Sequence, residues 1–123
     1  MNKKNNVRER SATAERKQQM LAEIYAYIDE HLEEAISLQV IANHFQVSIS
    51  TVTQLFQRKT DKTFHQYLTQ RRMAVAKNLI ARAVPLEEVG KQVGYADHSS
   101  FYRAFKQYYG TSPREFKREQ FNK

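Results

Sequence analysis

Residues 86–112 read LEEVGKQVGYADHSSFYRAFKQYYGTS, and residues 38–63 read LQVIANHFQVSISTVTQLFQRKTDKT. Laid side by side, they are two copies of one pattern. Leu38 matches Leu86, Ile41 matches Val89, Ala42 matches Gly90 and Phe45 matches Val93, each 48 positions apart. A one-residue slip in the turn then moves the offset to 49. It pairs Ser50 with Ser99, Val52 with Phe101, Phe56 with Phe105, Asp61 with Gly110 and Thr63 with Ser112. Apolar residues recur every three or four positions in both copies, the period of a helix that buries one face. Ser48 and Asp97 stand where a helix start needs an oxygen to accept from orphaned backbone N–H groups. Each copy is a short helix, a tight turn and a longer capped helix. A small residue, Ala42 or Gly90, lies in the middle of the first helix, where two crossing helices approach closely.

Working outward, the same period continues. Leu21, Ile24, Ile28 and Leu32 form one stripe, with Tyr25 beside it. Phe64, Leu68, Val75, Ala76, Leu79 and Ile80 mark a helix of about five turns between the copies. Ser112 caps a last helix with Pro113 at its first position, where a missing N–H costs nothing. Glycine and proline number three and two, and no stretch alternates as a strand would. The expected fold is all-α, about seven helices, with two helix-turn-helix lobes joined by a long linker helix. The expected boundaries are 1–19, a basic flexible arm; 20–62, the first lobe; 63–83, the linker helix; and 84–123, the second lobe. In a helix-turn-helix, the second helix enters the DNA major groove.

Composition narrows the function classes. A chain of 123 residues, 41% hydrophobic and 27% charged, suits one small folded domain. No run of about 18 apolar residues is present to span a membrane, and the opening residues lack the apolar stretch of a secretory signal. With no cysteine there is no disulfide framework or thiolate chemistry. The expected compartment is the cytoplasm, and no cofactor is expected. The formal net charge of +7 points to a polyanionic partner. That charge is segregated. Residues 57–83 carry seven basic groups against Asp61, net +6, whereas 20–56 carry five acids and no Lys or Arg, net −5.

Two other classes compete with DNA binding. An enzyme finds little support: His31, His44, His65 and His98 show no metal-pair spacing, and neither a nucleophile elbow nor a glycine-rich phosphate loop occurs. A membrane-surface or scaffolding module needs a spare apolar face, and the repeat uses up that of the long helix.

The stretch VGYADHSSFYRAFKQYYGTSPREFK resembles the second helix-turn-helix signature of AraC/XylS-type bacterial transcription regulators. The resemblance rests on Gly94, Tyr95, Asp97, Ser99, Phe101, Arg103, Phe105, Lys106, Gly110, Ser112 and Pro113. The first half resembles the family more loosely, through Leu38, Ile41, Ala42, Ser48, Ser50, Leu55, Phe56, Phe64, Tyr67, Leu68 and Arg72. Together they cover residues 20–119. The resemblance implies a bacterial, nucleoid-associated regulator, more often an activator, that recruits RNA polymerase. Three positions depart from the pattern: Gln54 replaces a frequent Arg, Asp61 a usual Gly and Gly90 a usual Ala. Asp adopts the left-handed conformation less cheaply than Gly, and Gly90 costs about 1 kcal/mol of helix propensity.

The expected base-contacting residues are Ser50, Thr51, Thr53 and Gln54 in the first unit and His98, Ser99, Tyr102 and Arg103 in the second. Arg103 is the strongest, because its planar fork pairs bidentately with guanine O6 and N7; Gln54 suits adenine N6 and N7. Arg58, Lys59, Lys62, Lys106 and Arg114 are expected on phosphates, with backbone N–H groups near Thr63 and Ser112 at helix starts. Arg72, on the long helix, is better placed to brace the two lobes than to touch DNA. Phe45, Phe56, Phe64, Phe101 and Phe105 are core residues. The chain is either a stand-alone regulator, which Met1 slightly favours, or the DNA-binding part of something longer. A stand-alone chain is expected to bind double-stranded DNA as a monomer over an asymmetric site of about 20 base pairs in successive major grooves.

Overall fold

A computed structural model describes residues 3–122, with side chains from Thr13 onward. The described residues form seven helices and no strand: α1 (Lys3–Glu30), α2 (Leu38–Phe45), α3 (Ile49–Lys59), α4 (Phe64–Ala81), α5 (Leu86–Gln92), α6 (His98–Tyr109) and α7 (Pro113–Phe121). They divide into two compact units, one of Met1–Glu30 with Ile36–His65, the other of His31–Ala35 with Gln66–Lys123.

The first unit closes around the stripe of α1. Leu21, Ile24 and Ile28 are buried with Ile36, Ile41, Ala42, Val52, Leu55, Phe56 and Phe64. Phe56 is central, with Tyr25 and Phe64 edge-on to its ring at 5.9 and 6.1 Å. Such edge-to-face pairs add to plain area burial. Ser37 caps α2 by accepting from the Val40 N–H, and Ser48 caps α3 by accepting from that of Thr51. The turn between them is made by Gln46 at φ 57°, a left-handed position that a non-glycine residue occupies at a cost.

Two features of this unit bear on the expectations. Over residues 1–19, expected as a basic flexible arm, α1 is helical from Lys3. Thr13 to Gln19 are all exposed, so packing does not hold this stretch. Ala, Glu, Arg, Lys and Gln are good helix formers, and they extend a helix already nucleated by its buried half. Asp61 is not left-handed, because α3 ends at Thr60 in extended conformation. The Thr60 hydroxyl lies 2.8 Å from the Phe56 carbonyl and 2.7 Å from that of Lys62, and it accepts from the Lys62 N–H at 3.0 Å. That side-chain cap removes the need for glycine at 61.

The second unit takes in most of α4. Met73, Ala76 and Ile80 are fully buried with Val89, Val93, Phe101 and Phe105. The segment 63–83, expected as a linker, is therefore largely a wall of this core. Asp97 caps α6, which ends in a left-handed Gly110, and Ser112 caps α7 in a reciprocal box with Glu115. Gly90 has a packing reason beyond propensity. A Cβ there would lie 2.9 Å from the Cβ of Phe101, an atom that no rotamer change can move. Gly90→Ala gains about 1 kcal/mol of propensity but overpacks by about 1–3 kcal/mol, so chemical denaturation should show a small net loss.

Arg72 holds this unit's entry strap. Its Nε donates to the Leu32 carbonyl at 3.2 Å and its Nη2 to that of Glu34 at 2.8 Å. The guanidinium lies 5.6 Å from the Tyr95 ring centre. Burial pulls its pKa down and that of Tyr95 up. These bonds spend the side chain on the protein itself, as a brace.

Candidate nucleic-acid interface

Each unit offers one amphipathic second helix. In α3, Val52, Leu55 and Phe56 face the core, leaving Ser50, Gln54 and Arg58 exposed on the opposite side. In α6, Phe101 and Phe105 face the core, and His98, Ser99, Arg103 and Lys106 are exposed. Both helices begin at a side-chain cap, so their first turns have a fixed direction.

The expected base readers fall into two groups. Ser50, Gln54, His98, Ser99 and Arg103 are exposed, while Thr51, Thr53 and Tyr102 are half-buried. Gln54 Nε2 donates to Ser50 Oγ at 3.4 Å, a weak bond that a base edge can displace. Thr51 is more committed: its hydroxyl lies 2.9 Å from that of Ser48, and its N–H donates to the same oxygen. It belongs to the cap more than to the outward face. The Tyr102 and His98 ring centres are 6.1 Å apart.

Of the expected phosphate contacts, Arg58, Lys59, Lys106 and Arg114 are exposed, Arg58 and Lys59 in the last turn of α3. Lys62 is half-buried, 3.8 Å from the Asp61 carboxylate. Thr63 is exposed just before α4. Ser112 meets a competing partner. It is 1% exposed, its hydroxyl accepts from the Glu115 N–H, and its own N–H donates to Glu115 Oε2 at 3.4 Å. The capping box thus engages the Ser112 and Glu115 N–H groups at this helix start.

Ile49, the first residue of α3, is 40% exposed and was not among the residues expected at the interface. The 49-residue offset of the repeat pairs it with His98.

The caps also make the second unit acid-sensitive. Backbone and side-chain hydrogen bonds from Ser100, then the charge of Arg103, hold the Asp97 carboxyl below the usual range. The Thr111 hydroxyl, then the Ser112 N–H, does the same for Glu115. Folded-state values below the unfolded ones give stability that is complete above the unfolded range and lost as pH falls through the folded values. Melting temperature should therefore drop on acidification below about pH 4, and Asp97→Asn, which keeps a capping oxygen, should flatten part of that drop in circular-dichroism melts.

No helix among the described residues is long and apolar enough to cross a membrane, and those residues contain no cluster of three metal-ligating side chains. Comparison with known proteins supplies the wider frame. A helix-turn-helix domain family matches residues 41–119. The probable transcriptional regulator LumQ of Photobacterium leiognathi is 36% identical over 91 residues, covering 73% of this chain and 37% of the relative. The HTH-type transcriptional activator RhaS of Escherichia fergusonii is 29% identical over 98 residues, covering 79% and 35%. This chain thus spans little more than a third of either relative. Among solved structures, the C-terminal domain of AraT, a response regulator from Geobacillus stearothermophilus, superposes with a TM-score of 0.79. It is 26% identical, and the match covers 81% of this chain and 84% of that one. With two capped helix-turn-helix units and these relatives, the chain belongs to the AraC/XylS type of helix-turn-helix transcription regulators.

Proposed function

We propose that this chain reads double-stranded DNA in a sequence-specific way and regulates transcription, as an activator that contacts RNA polymerase. The observation that carries this reading is the doubled outward face: two capped helices, each apolar toward its own core and polar or cationic toward solvent. Such a helix fits a major groove, and a tandem pair suits successive grooves on an asymmetric site. Ser50, Thr53, Gln54, His98, Ser99, Tyr102 and Arg103 would meet base edges, with Thr51 contributing through the cap. Arg58, Lys59, Lys62, Lys106 and Arg114, with the backbone near Thr63 and Ser112, would meet phosphates and set register. The role is binding, without catalysis, in the cytoplasm.

The test begins with selection of bound sites from random duplexes. Arg103→Ala should then cost about 1–3 kcal/mol on the preferred site and relax selection at one or two positions, whereas Lys59→Ala should weaken all sequences alike. A uniform loss with Arg103→Ala makes that residue a phosphate anchor. Failure to enrich any duplex overturns the proposal.

A further inference from the structure

Ile49 is left without a role by the contacts above. It follows the Ser48 cap directly and is 40% exposed; the other exposed large hydrophobics among the described residues are Val40, Tyr108 and Phe121. The buried residues of α3 are Val52, Leu55 and Phe56, and the cap bond runs between Ser48 and Thr51, so neither spends the exposed part of Ile49.

The repeat gives Ile49 a position. It corresponds to His98, the first residue of α6. N-terminal residues of a recognition helix reach base edges first. In α6 that place is held by an imidazole able to hydrogen-bond, in α3 by a side chain with neither donor nor acceptor. Donors and acceptors crowd the base edges of the major groove, and the apolar group displayed among them is the thymine C5-methyl. We propose that Ile49 is a specificity-determining residue that selects a thymine by packing on its C5-methyl group in the box read by α3. The assignment rests on the reading that α3 lies in a major groove. Ser50 and Gln54, exposed on the same helix, supply hydrogen bonds beside that contact. The box read by α6, with His98 at the matching place, carries no such dependence on a methyl group from its first helical residue.

Uracil differs from thymine only in lacking that methyl, which gives a direct test. Each thymine of the site selected by the wild-type chain is replaced in turn by uracil. At one thymine, the replacement should lower wild-type affinity about fourfold, the effect of removing one packed methyl group. Ile49→Ala should bind the thymine and uracil forms equally, at the wild-type uracil level. Unchanged affinity of this variant for unselected duplex shows that it is folded, and Ile49→Val should keep part of the discrimination. Wild-type indifference to every thymine methyl, or an Ile49→Ala variant that discriminates as the wild type does, overturns the assignment and leaves duplex reading intact. A wild-type chain that selects no duplex overturns the underlying reading, and the assignment with it.

Discussion

Affinity for duplex DNA should fall by about three to four orders of magnitude as salt rises from about 50 to 200 mM. The expectation follows from where the cations stand. Residues 57–83 hold a net charge of +6, and Arg58 and Lys59 are exposed at the end of α3. Lys106 on α6 and Arg114 on α7 are exposed as well. Neutralising about six to eight phosphates releases the counterions condensed there, giving a slope of roughly −5 to −7 in log affinity against log salt. Selected and unselected duplexes should share that slope, because phosphates carry no sequence. Lys59→Ala should make it shallower by about one. A fluorescence titration across four salt concentrations reads it, and a flat response would falsify the DNA reading altogether.

The largest effect on stability should come from Gly94→Ala. Gly94 has φ +96°, a conformation that costs an L side chain dearly, and an added Cβ would fall on the Leu32 carbonyl oxygen. It would also lie 2.6 Å from Arg72 Nη2. Arg72 would have to withdraw from two backbone carbonyls to which its charge makes strong bonds, each worth about 1.5–3 kcal/mol. Together with about 1–2 kcal/mol of backbone strain, the loss should be about 4 kcal/mol or more, a large part of a typical domain's stability. Gly110→Ala isolates the strain alone: φ is +77°, but nothing lies within 4 Å of the added atom. It should cost about 1–2 kcal/mol. Urea denaturation of the two variants side by side settles the comparison, and equal losses would mean that the Arg72 clamp is worth nothing.

What the sequence discloses follows the range of each interaction. The caps at Ser48, Asp97 and Ser112 are legible because their partners lie three residues away. The core stripes are legible because helical period writes them into spacing. The carbonyl partners of Arg72, by contrast, lie 40 and 38 residues back, and no local pattern announces them. Asp61 misled through analogy: its glycine-like position matters only if the helix ends left-handed, and Thr60 supplies another ending. Ile49 was passed over because it stands beside the cap and outside the stripe of Val52, Leu55 and Phe56. Ser112 was legible as a cap, but the return bond from its N–H to the Glu115 carboxylate was not.

The strap held by Arg72 bears on how this chain can be taken apart. His31–Ala35 belong with the second unit, although both flanking stretches fold in the first. A gene truncated to begin at the long helix would therefore encode an incomplete domain, with a cationic fork facing solvent where two carbonyls had been. Expressed alone, such a half should be less soluble and more prone to proteolysis than its own well-filled core suggests. The internal repeat gives the appearance of two exchangeable modules, yet part of the second module is encoded ahead of the first copy, so a cut between the copies leaves it behind.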